Sequence, residues 1–210
     1  MRGLRKLKKP RTQQRLALAI TDALEEGRPL WEALDGVLGK TAAPSLRRHA
    51  LAERIIVSTG AKIMWGYDRA CYERPPLDRI LLPARTFFHS RRQLVATLLH
   101  ECLHWLEWGM GWPGTNRWTE HERYAVGELR AEIGTVLFEH CLRLPHCDDL
   151  TNFKKHRGIW LGLLRSDPLL ARELTRSAVE GIEFVLCLYR RSLRLPKGQP
   201  ARSDKPAAPA

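Results

Sequence analysis

The chain lacks long apolar segments, and it contains few cysteines. A membrane-spanning helix needs about 20 consecutive apolar residues, and no stretch of this sequence approaches that length. The segment 16–20 is also too short for the core of a signal peptide. The five cysteines are scattered over 210 residues, unlike the dense cysteines of a disulfide-stapled secreted domain. We therefore expect a protein that has no membrane partner and stays in the cytoplasm with reduced thiols.

Acidic residues are nearly absent from the two ends of the chain. Residues 1–15 contain seven Lys or Arg and no acid, and residues 190–210 contain six Lys or Arg and one acid, whereas residues 16–189 contain 22 of each sign. The net charge of +12 therefore lies in the ends. These ends either contact phosphates of single-stranded DNA through salt-dependent ion pairs or serve only as solubilising tails.

The most informative segment is the H-E-x-x-H run His100-Glu101-Cys102-Leu103-His104. Apolar residues with helical spacing surround it, at positions 94, 95, 98, 99, 102, 103 and 106. Histidines four residues apart lie on one face of a helix, so both can bind one metal ion while Glu101 acts as a base beside it. The run predicts a zinc hydrolase, although a plain amphipathic helix with two histidines is the alternative.

A catalytic zinc site needs a third protein ligand and one open position. The segment 118–140 is again helical in its pattern, and it places Glu128 and Glu132 on one face. Glu128 is the predicted third ligand, and Glu132 is predicted to accept the second ring N–H of a ligand histidine. Solvated surface glutamates are the alternative.

The remaining pattern predicts an α+β fold that is mostly helical, with a small sheet before the H-E-x-x-H helix. We expect helices over 12–26, 50–59, 150–165 and 168–191, and strands over 61–65 and 79–82 on either side of a Pro75-Pro76 turn. The segment 31–40 is ambiguous. Pro83 marks the second strand as an edge or terminal strand, which could pair with an extended peptide. The tryptophan- and glycine-rich segment 109–118 is expected to be a loop.

Three regions follow from this pattern. Residues 1–49 form a basic N-terminal arm and a helix, residues 50–192 form the metal-binding domain, and residues 193–210 form a disordered basic tail. A cluster of His140, Cys141, His146 and Cys147 could hold a second zinc ion, but its spacing fits no common zinc finger, so a helix end with buried thiols is the favoured interpretation.

The chain resembles the zincin-like metallopeptidase domain of ArdC-type antirestriction proteins and related plasmid and phage proteins. The similarity runs from residue 52 to residue 186. The matching segments are Ala52-Glu53-Arg54-Ile55, Thr59-Gly60-Ala61, Asp78-Arg79-Ile80, Leu82-Pro83, His100-Glu101 with His104-Trp105, Glu128-Leu129-Arg130-Ala131-Glu132, and Trp160 with Asp167.

This resemblance implies a zincin fold, a metal held by the two histidines and a later glutamate, and a role in protecting incoming mobile DNA. The chain departs from the family at three places. Fuller members have a single-stranded-DNA-binding domain before the metallopeptidase part, whereas the residues between the first helix and Ala50 match the family poorly. It has Leu106, Glu107 and Trp108 where Thr-Gly-His is common, and His156 where a tyrosine is usual.

We therefore expect a zinc metallopeptidase in which His100, His104 and Glu128 bind Zn²⁺ and Glu101 is the general base. Tyr124 or His156 could donate a hydrogen bond to the developing oxyanion. The expected substrate is a protein. The rival hypothesis is an antirestriction protein that acts by binding DNA and whose metal site is structural.

Overall fold

The structure of the protein is a computed structural model that describes residues 2–40, 46–111 and 118–194. These ranges contain the helices α1 (Arg2–Leu7), α2 (Pro10–Glu26), α3 (Leu30–Leu38), α4 (Leu46–Val57), α5 (Arg91–Gly109), α6 (Glu120–Leu142), α7 (Thr151–Ser166) and α8 (Leu170–Ser192), the strands β1 (Lys62–Trp65), β2 (Cys71–Glu73) and β3 (Arg79–Leu82), and a 3-10 turn (Arg85–Phe87). The expected α+β, mostly helical class is confirmed. Among the described helices, none combines the length and the apolar character that a bilayer crossing requires.

Local signals explain where the two helices that carry the motif begin. Ser90 precedes α5, and its hydroxyl accepts a hydrogen bond from the backbone N–H of Gln93 at 3.1 Å. Thr119 precedes α6 in a capping box, in which its hydroxyl accepts from the N–H of Glu122 and the Glu122 carboxylate accepts from the N–H of Thr119. These caps satisfy backbone donors that have no partner within the helix, so both helices start at defined positions.

The helix α6 lies at the centre of the core. It packs against α5 on one side and α8 on another, and every residue from Ala125 to Glu139 except Glu132 is buried. The predicted apolar residues of α5 are buried as well. At the crossing of α5 and α6, Gly134 leaves room for Leu103, since a Cβ atom at residue 134 would lie 2.6 Å from Leu103 Cδ1. The two helices therefore approach closely just beside His104.

The first helix of the chain is packed against the core, whereas the sequence predicted a basic arm there. Leu4 and Leu7 of α1 are buried in the same core as α5, α6 and α8. The ammonium group of Lys6 donates hydrogen bonds to the carbonyls of Val37 and Leu38, at 3.2 and 2.9 Å, and so caps α3. The ambiguous segment 31–40 is mostly this helix. Helices α1, α2 and α3 therefore contribute buried residues to the same core as the later helices.

The sheet corrects the prediction about strand position. Its order is β1-β3-β2, with β3 parallel to β1 and antiparallel to β2. The strand followed by Pro83 is thus the central strand, and the missing N–H of Pro83 lies beyond its paired residues. The edge strand next to α5 is β2, which the sequence pattern did not reveal because three residues are too few for a recognisable alternation. The Pro75-Pro76 turn joins β2 to β3.

Two expectations fall wholly or partly on other parts of the chain. The expected disordered tail lies outside the described residues from position 195 onward. Most of the tryptophan- and glycine-rich loop, residues 112–117, also lies outside them.

Candidate metal centre

The helix α5 brings the two motif histidines together on one face. The Nε2 atoms of His100 and His104 are 3.1 Å apart, and the ring centroids are 4.8 Å apart. Both side chains are largely buried, with 16% and 18% of their surface exposed. Two ring nitrogens at this separation point to one common position rather than to separate partners.

Glu128 of α6 completes the set of ligand atoms. Its Oε2 lies 3.3 Å from His100 Nε2, and its Oε1 lies 3.4 Å from His104 Nε2. Three atoms bound to one tetrahedral zinc at 2.0–2.1 Å lie about 3.3 Å from one another. The observed spacing of 3.1 to 3.4 Å therefore fits a tetrahedral ion with one open position. Within the described ranges, these three residues form the only cluster of this kind.

The electrostatics of the centre also fit a cation. Burial by itself raises the pKa of Glu128, but hydrogen bonds and charge from the two histidines outweigh burial and hold that pKa well below its usual range. Burial lowers the pKa of His104, yet Glu107 and Glu128 outweigh burial and raise it to about 10. The site thus favours positive charge between its ligands, which a bound divalent ion supplies in place of a proton.

Carboxylates lie behind both histidines. Glu132 Oε2 is 3.9 Å from His100 Nδ1, close to the position predicted for it but beyond direct hydrogen-bond distance. Glu107 Oε2 is 3.5 Å from His104 Nδ1. Sequence reasoning missed Glu107 as a partner of His104, and its i, i+3 position on the same helix was the available signal.

Two residues of α6 hold Glu107 in place. The guanidinium of the buried Arg130 donates a hydrogen bond to Glu107 Oε1. At Gly127, a Cβ atom would come within 2.9 Å of Glu107 Oε2, so the absence of a side chain there makes room for the carboxylate. The substitution of glutamate at a position where the family commonly has glycine is therefore accommodated by its neighbours on α6.

Glu101 is 7% exposed and lies in the wall of the cavity beside His104 and Glu128. Burial raises its pKa, and the charges of His100 and His104 oppose this effect. The backbone N–H of Tyr72 in β2 donates a hydrogen bond to its carboxylate. The contact of Glu101 with Tyr72 places the edge strand β2 beside the metal centre.

The two candidate oxyanion donors occupy different positions. Tyr124 is 48% exposed, lines the cavity and hydrogen-bonds Glu128 through its hydroxyl. Burial, followed by the charge of Glu128, raises the pKa of Tyr124 to about 12, so this hydroxyl keeps its proton. His156 is buried behind Tyr124, with its ring 5.7 Å from that of Trp160. This position favours Tyr124 over His156 as the donor.

A cavity of about 940 Å³ lies between β2, α5 and the N-terminal part of α6. Glu101, His104 and Glu128 line its inner wall, and Cys71 and Tyr72 border it on the side of the sheet. The side chains that would hold the metal therefore border a space large enough for several residues of an extended peptide.

The sequence matches the family described as zincin-like metallopeptidase over residues 50–178. The chain belongs to this zincin-like metallopeptidase family. The match includes both motif histidines, Glu101, Glu128 and Glu132, so the family segment contains the complete cluster.

Named relatives of this family member share part of its length. Two proteins called DNA primase TraC from Escherichia coli are 35% and 30% identical over 149 residues, which is 68% of this chain and 13% and 10% of those proteins. The chain therefore spans only about a tenth of the length of these curated relatives.

Solved structures of the antirestriction protein ArdC from plasmid R388 are also similar. The Mn(II)-bound form has a TM-score of 0.58 and 28% identity over 71% of this chain and 54% of that one. The metal-free form has a TM-score of 0.57 and 27% identity over 72% of this chain and 53% of that one. The family and the geometry of the cluster together imply a site for a divalent metal ion.

The second candidate zinc site, formed by His140, Cys141, His146 and Cys147, is not among the metal-binding clusters of the described residues. His146 instead makes two hydrogen-bonded contacts, to Glu139 at 2.8 Å and to Asp35 at 3.0 Å. Burial raises the pKa of Cys141 to about 12, and Cys141 and Cys147 are half-buried free thiols. These contacts favour the interpretation as a helix end, although the thiols are less buried than expected.

Proposed function

We propose that the chain is a zinc-dependent peptidase domain that cleaves a protein during the establishment of mobile DNA, within an antirestriction function of the ArdC type. The observation that carries this proposal is the tetrahedral spacing of His100, His104 and Glu128 beside a buried Glu101 at a cavity wall. Membership of the zincin-like metallopeptidase family supports the reaction class. The similarity to ArdC supports the biological setting.

The proposed chemistry assigns a separate task to each side chain. When bound, zinc polarises a carbonyl and lowers the pKa of water to about 7. Glu101 accepts a proton from the attacking water and returns it to the leaving amine. Its raised pKa makes both transfers feasible near neutral pH, and the N–H of Tyr72 keeps the carboxylate oriented. The Tyr124 hydroxyl stays protonated, and on substrate binding it would turn its one O–H from Glu128 to the oxyanion that develops on the substrate.

The substitution Glu101→Gln tests this assignment, because it preserves the size of the side chain but removes its ability to accept a proton. Zinc content and unfolding temperature should be retained, whereas protection of unmodified plasmid DNA in a restricting host should fall by roughly 100-fold or more, the range that general bases supply. Glu180→Gln, on the exposed surface of α8, is the matched control. Full protection by Glu101→Gln would show that the protein acts by binding rather than by hydrolysis.

A second candidate function is antirestriction by DNA binding, with the metal site structural. The excess of basic residues at the two ends favours it. Lys9 and Arg11 are exposed, and their positive charges are available for phosphate contacts. Leu4 and Leu7 are buried, however, so removing residues 1–15 would disrupt the core and would not be a clean test.

Charge substitution separates the two effects. We expect a chain with Lys9→Gln and Arg11→Gln, cut after residue 194, to lose most of its low-salt affinity for a single-stranded oligonucleotide. A full-length chain with Arg172→Gln and Arg176→Gln, both exposed on α8, is the control. Undiminished affinity of the first variant would place the nucleic-acid contact on the folded body instead of its ends.

A further inference from the structure

Charged residues are segregated around the cavity. Among the described residues that line it, the inner wall carries Glu101, Glu107 and Glu128, and the outer rim carries the exposed residues Arg69, Arg74, Arg123 and Lys155 together with one acid, Glu120. Since residues 16–189 contain equal numbers of basic and acidic residues, this concentration of positive charge at the rim does not follow from the overall composition of the folded body.

The carboxylates of the inner wall already have interaction partners within the protein. Glu128 contacts the two histidines, Glu107 pairs with Arg130, and Glu101 accepts the Tyr72 N–H. In contrast, none of the four basic rim residues belongs to an ion pair within the described residues. An incoming ligand therefore meets four cationic groups that have no carboxylate partner among the described residues before it reaches the metal centre. We call these four residues the basic rim.

The basic rim lies on both sides of the cavity. Arg69 and Arg74 flank β2, at the edge of the sheet, and Arg123 and Lys155 lie on α6 and α7 across the cavity. The outer edge of β2 is not paired with another described strand. Glu101 already accepts the Tyr72 N–H, so an extended peptide would add to this edge through the remaining main-chain groups of the strand. A peptide in this position would pass between the two pairs of cations.

Two features favour a peptide over a single-stranded nucleic acid. The edge of β2 offers backbone hydrogen bonds that suit a peptide main chain. Nucleic-acid grooves also use exposed aromatic faces for base stacking, but the guanidinium of Arg74 covers the ring of Trp108 at 5.6 Å. The ring of Tyr124 in turn packs edge-on against His156 at 5.6 Å.

We propose that the basic rim selects acidic protein segments, with Asp or Glu on both sides of the bond that reaches the metal centre. This inference rests on the proposed peptidase function and specifies its substrate class. The rim residues would bind and position the segment through exposed ion pairs. Because such pairs each contribute only a few-fold in affinity, selectivity comes from several of them acting together, and it weakens as salt increases.

Binding can be measured without cleavage in the full-length, zinc-loaded Glu101→Gln protein. The probes are three fluorescent dodecapeptides that differ only in charge, with alternating Glu, Gln or Lys residues separated by Ala. We expect fluorescence anisotropy to show binding of the Glu peptide, with weaker binding of the Gln peptide and none of the Lys peptide. A rise from 50 to 300 mM salt should weaken the first complex. Equal affinity for the Glu and Gln peptides would overturn the proposal.

A charge-matched pair of variants locates the effect. In the Glu101→Gln background, Arg123→Glu with Lys155→Glu should lower affinity for the Glu peptide by roughly tenfold or more. Arg172→Glu with Arg176→Glu on α8 changes the net charge equally and should leave the affinity almost unchanged. Circular dichroism and thermal unfolding establish that all variants are folded. Equal losses in the two pairs would mean that only net charge matters, which contradicts a site at the rim.

Three further outcomes test this inference and separate it from the proposed peptidase function. If a dodecathymidylate competes more strongly than the Glu peptide and depends on Arg123 and Lys155, the rim is a nucleic-acid site and the proposal is wrong. If the Glu peptide fails to bind while Glu101→Gln still abolishes plasmid protection, the result supports the peptidase function and contradicts the proposed acidic substrate class. If the Glu peptide binds but the Glu101→Gln protein protects the plasmid fully, the result supports the binding site and contradicts the peptidase function.

Discussion

Gly134 provides a quantitative test of the close packing that holds the metal ligands together. It lies on α6 against Leu103 of α5, the residue next to His104, and α6 also carries Glu128. A Cβ at residue 134 would be 2.6 Å from Leu103 Cδ1 and 2.9 Å from Cδ2. Leu103 is only 2% exposed, so its side chain has little free space into which to move.

Two opposing effects determine how much Gly134→Ala changes the free energy of unfolding. Alanine is favoured over glycine inside a helix by about 1 kcal/mol, while overpacking of a filled core costs roughly 1–3 kcal/mol. The expected net change is a destabilisation of about 0–2 kcal/mol. Any outward shift of α6 from α5 would also lengthen the distances between Glu128 and the two histidines, so zinc affinity should decrease.

Gly162→Ala is the matched control. Gly162 lies on the exposed face of α7, where an added Cβ would have no heavy atom within 4 Å. The same helix-propensity gain applies there without the clash, so Gly162→Ala should stabilise the protein by up to about 1 kcal/mol. The difference between the two variants, roughly 1–3 kcal/mol, isolates the packing cost.

Urea unfolding with and without zinc measures these differences, and zinc titration measures affinity. In a Leu103→Ala background, Gly134→Ala should lose most of its cost, because the two sites share one contact. If Gly134→Ala stabilises the wild-type chain as much as Gly162→Ala does, the close approach of α5 and α6 is wrong. The geometry assigned to the metal ligands would then be wrong with it.

Three other predictions concern the centre and the core. Zinc at a hundredfold excess over its Kd should stabilise the chain by roughly 2.7 kcal/mol, or about 5–10 °C in Tm, and His104→Ala should abolish this shift in a thermal scan. Glu107→Gln should weaken zinc binding about tenfold or more by releasing the His104 ring; an unchanged Kd from competition with a chelator would show that Glu107 does not orient it. Burial lowers the pKa of His146, but Glu139 and Asp35 outweigh burial and raise it above 6.5. Its stabilising effect is complete below that pH and is lost as the pH rises through the raised pKa, so His146→Gln should flatten this part of the pH profile of urea stability.

Local spacing determined the parts of the metal centre that lie on single helices. The i, i+4 separation of His100 and His104 places both rings on one face of any helix that includes them, and the same holds for Glu128 and Glu132. Helix periodicity also predicted α2, α5, α6, α7 and α8 with boundaries close to those observed. These features depend on residues within a few turns of one another, which a sequence displays directly.

Tertiary structure decided what depends on distant residues. The pairing of β2 with β3 makes the strand before Pro83 central and leaves β2 as the edge beside Glu101. The charge of the first fifteen residues suggested a free arm, yet burial of Leu4 and Leu7 places α1 within the core, because two apolar residues in a basic segment find partners only once α6 and α8 are in place.

The placement of Glu107 behind His104 and the assembly of the basic rim also depend on residues that are distant in the sequence. Glu107 contacts His104 on its own helix, but its position is set by Arg130 and by the missing side chain of Gly127 on another. Arg69 and Arg74 lie on either side of the strand β2, whereas Arg123 and Lys155 come from two helices. Charge counts along the chain sum to zero over residues 16–189, and only the fold brings four of these cations to one cavity.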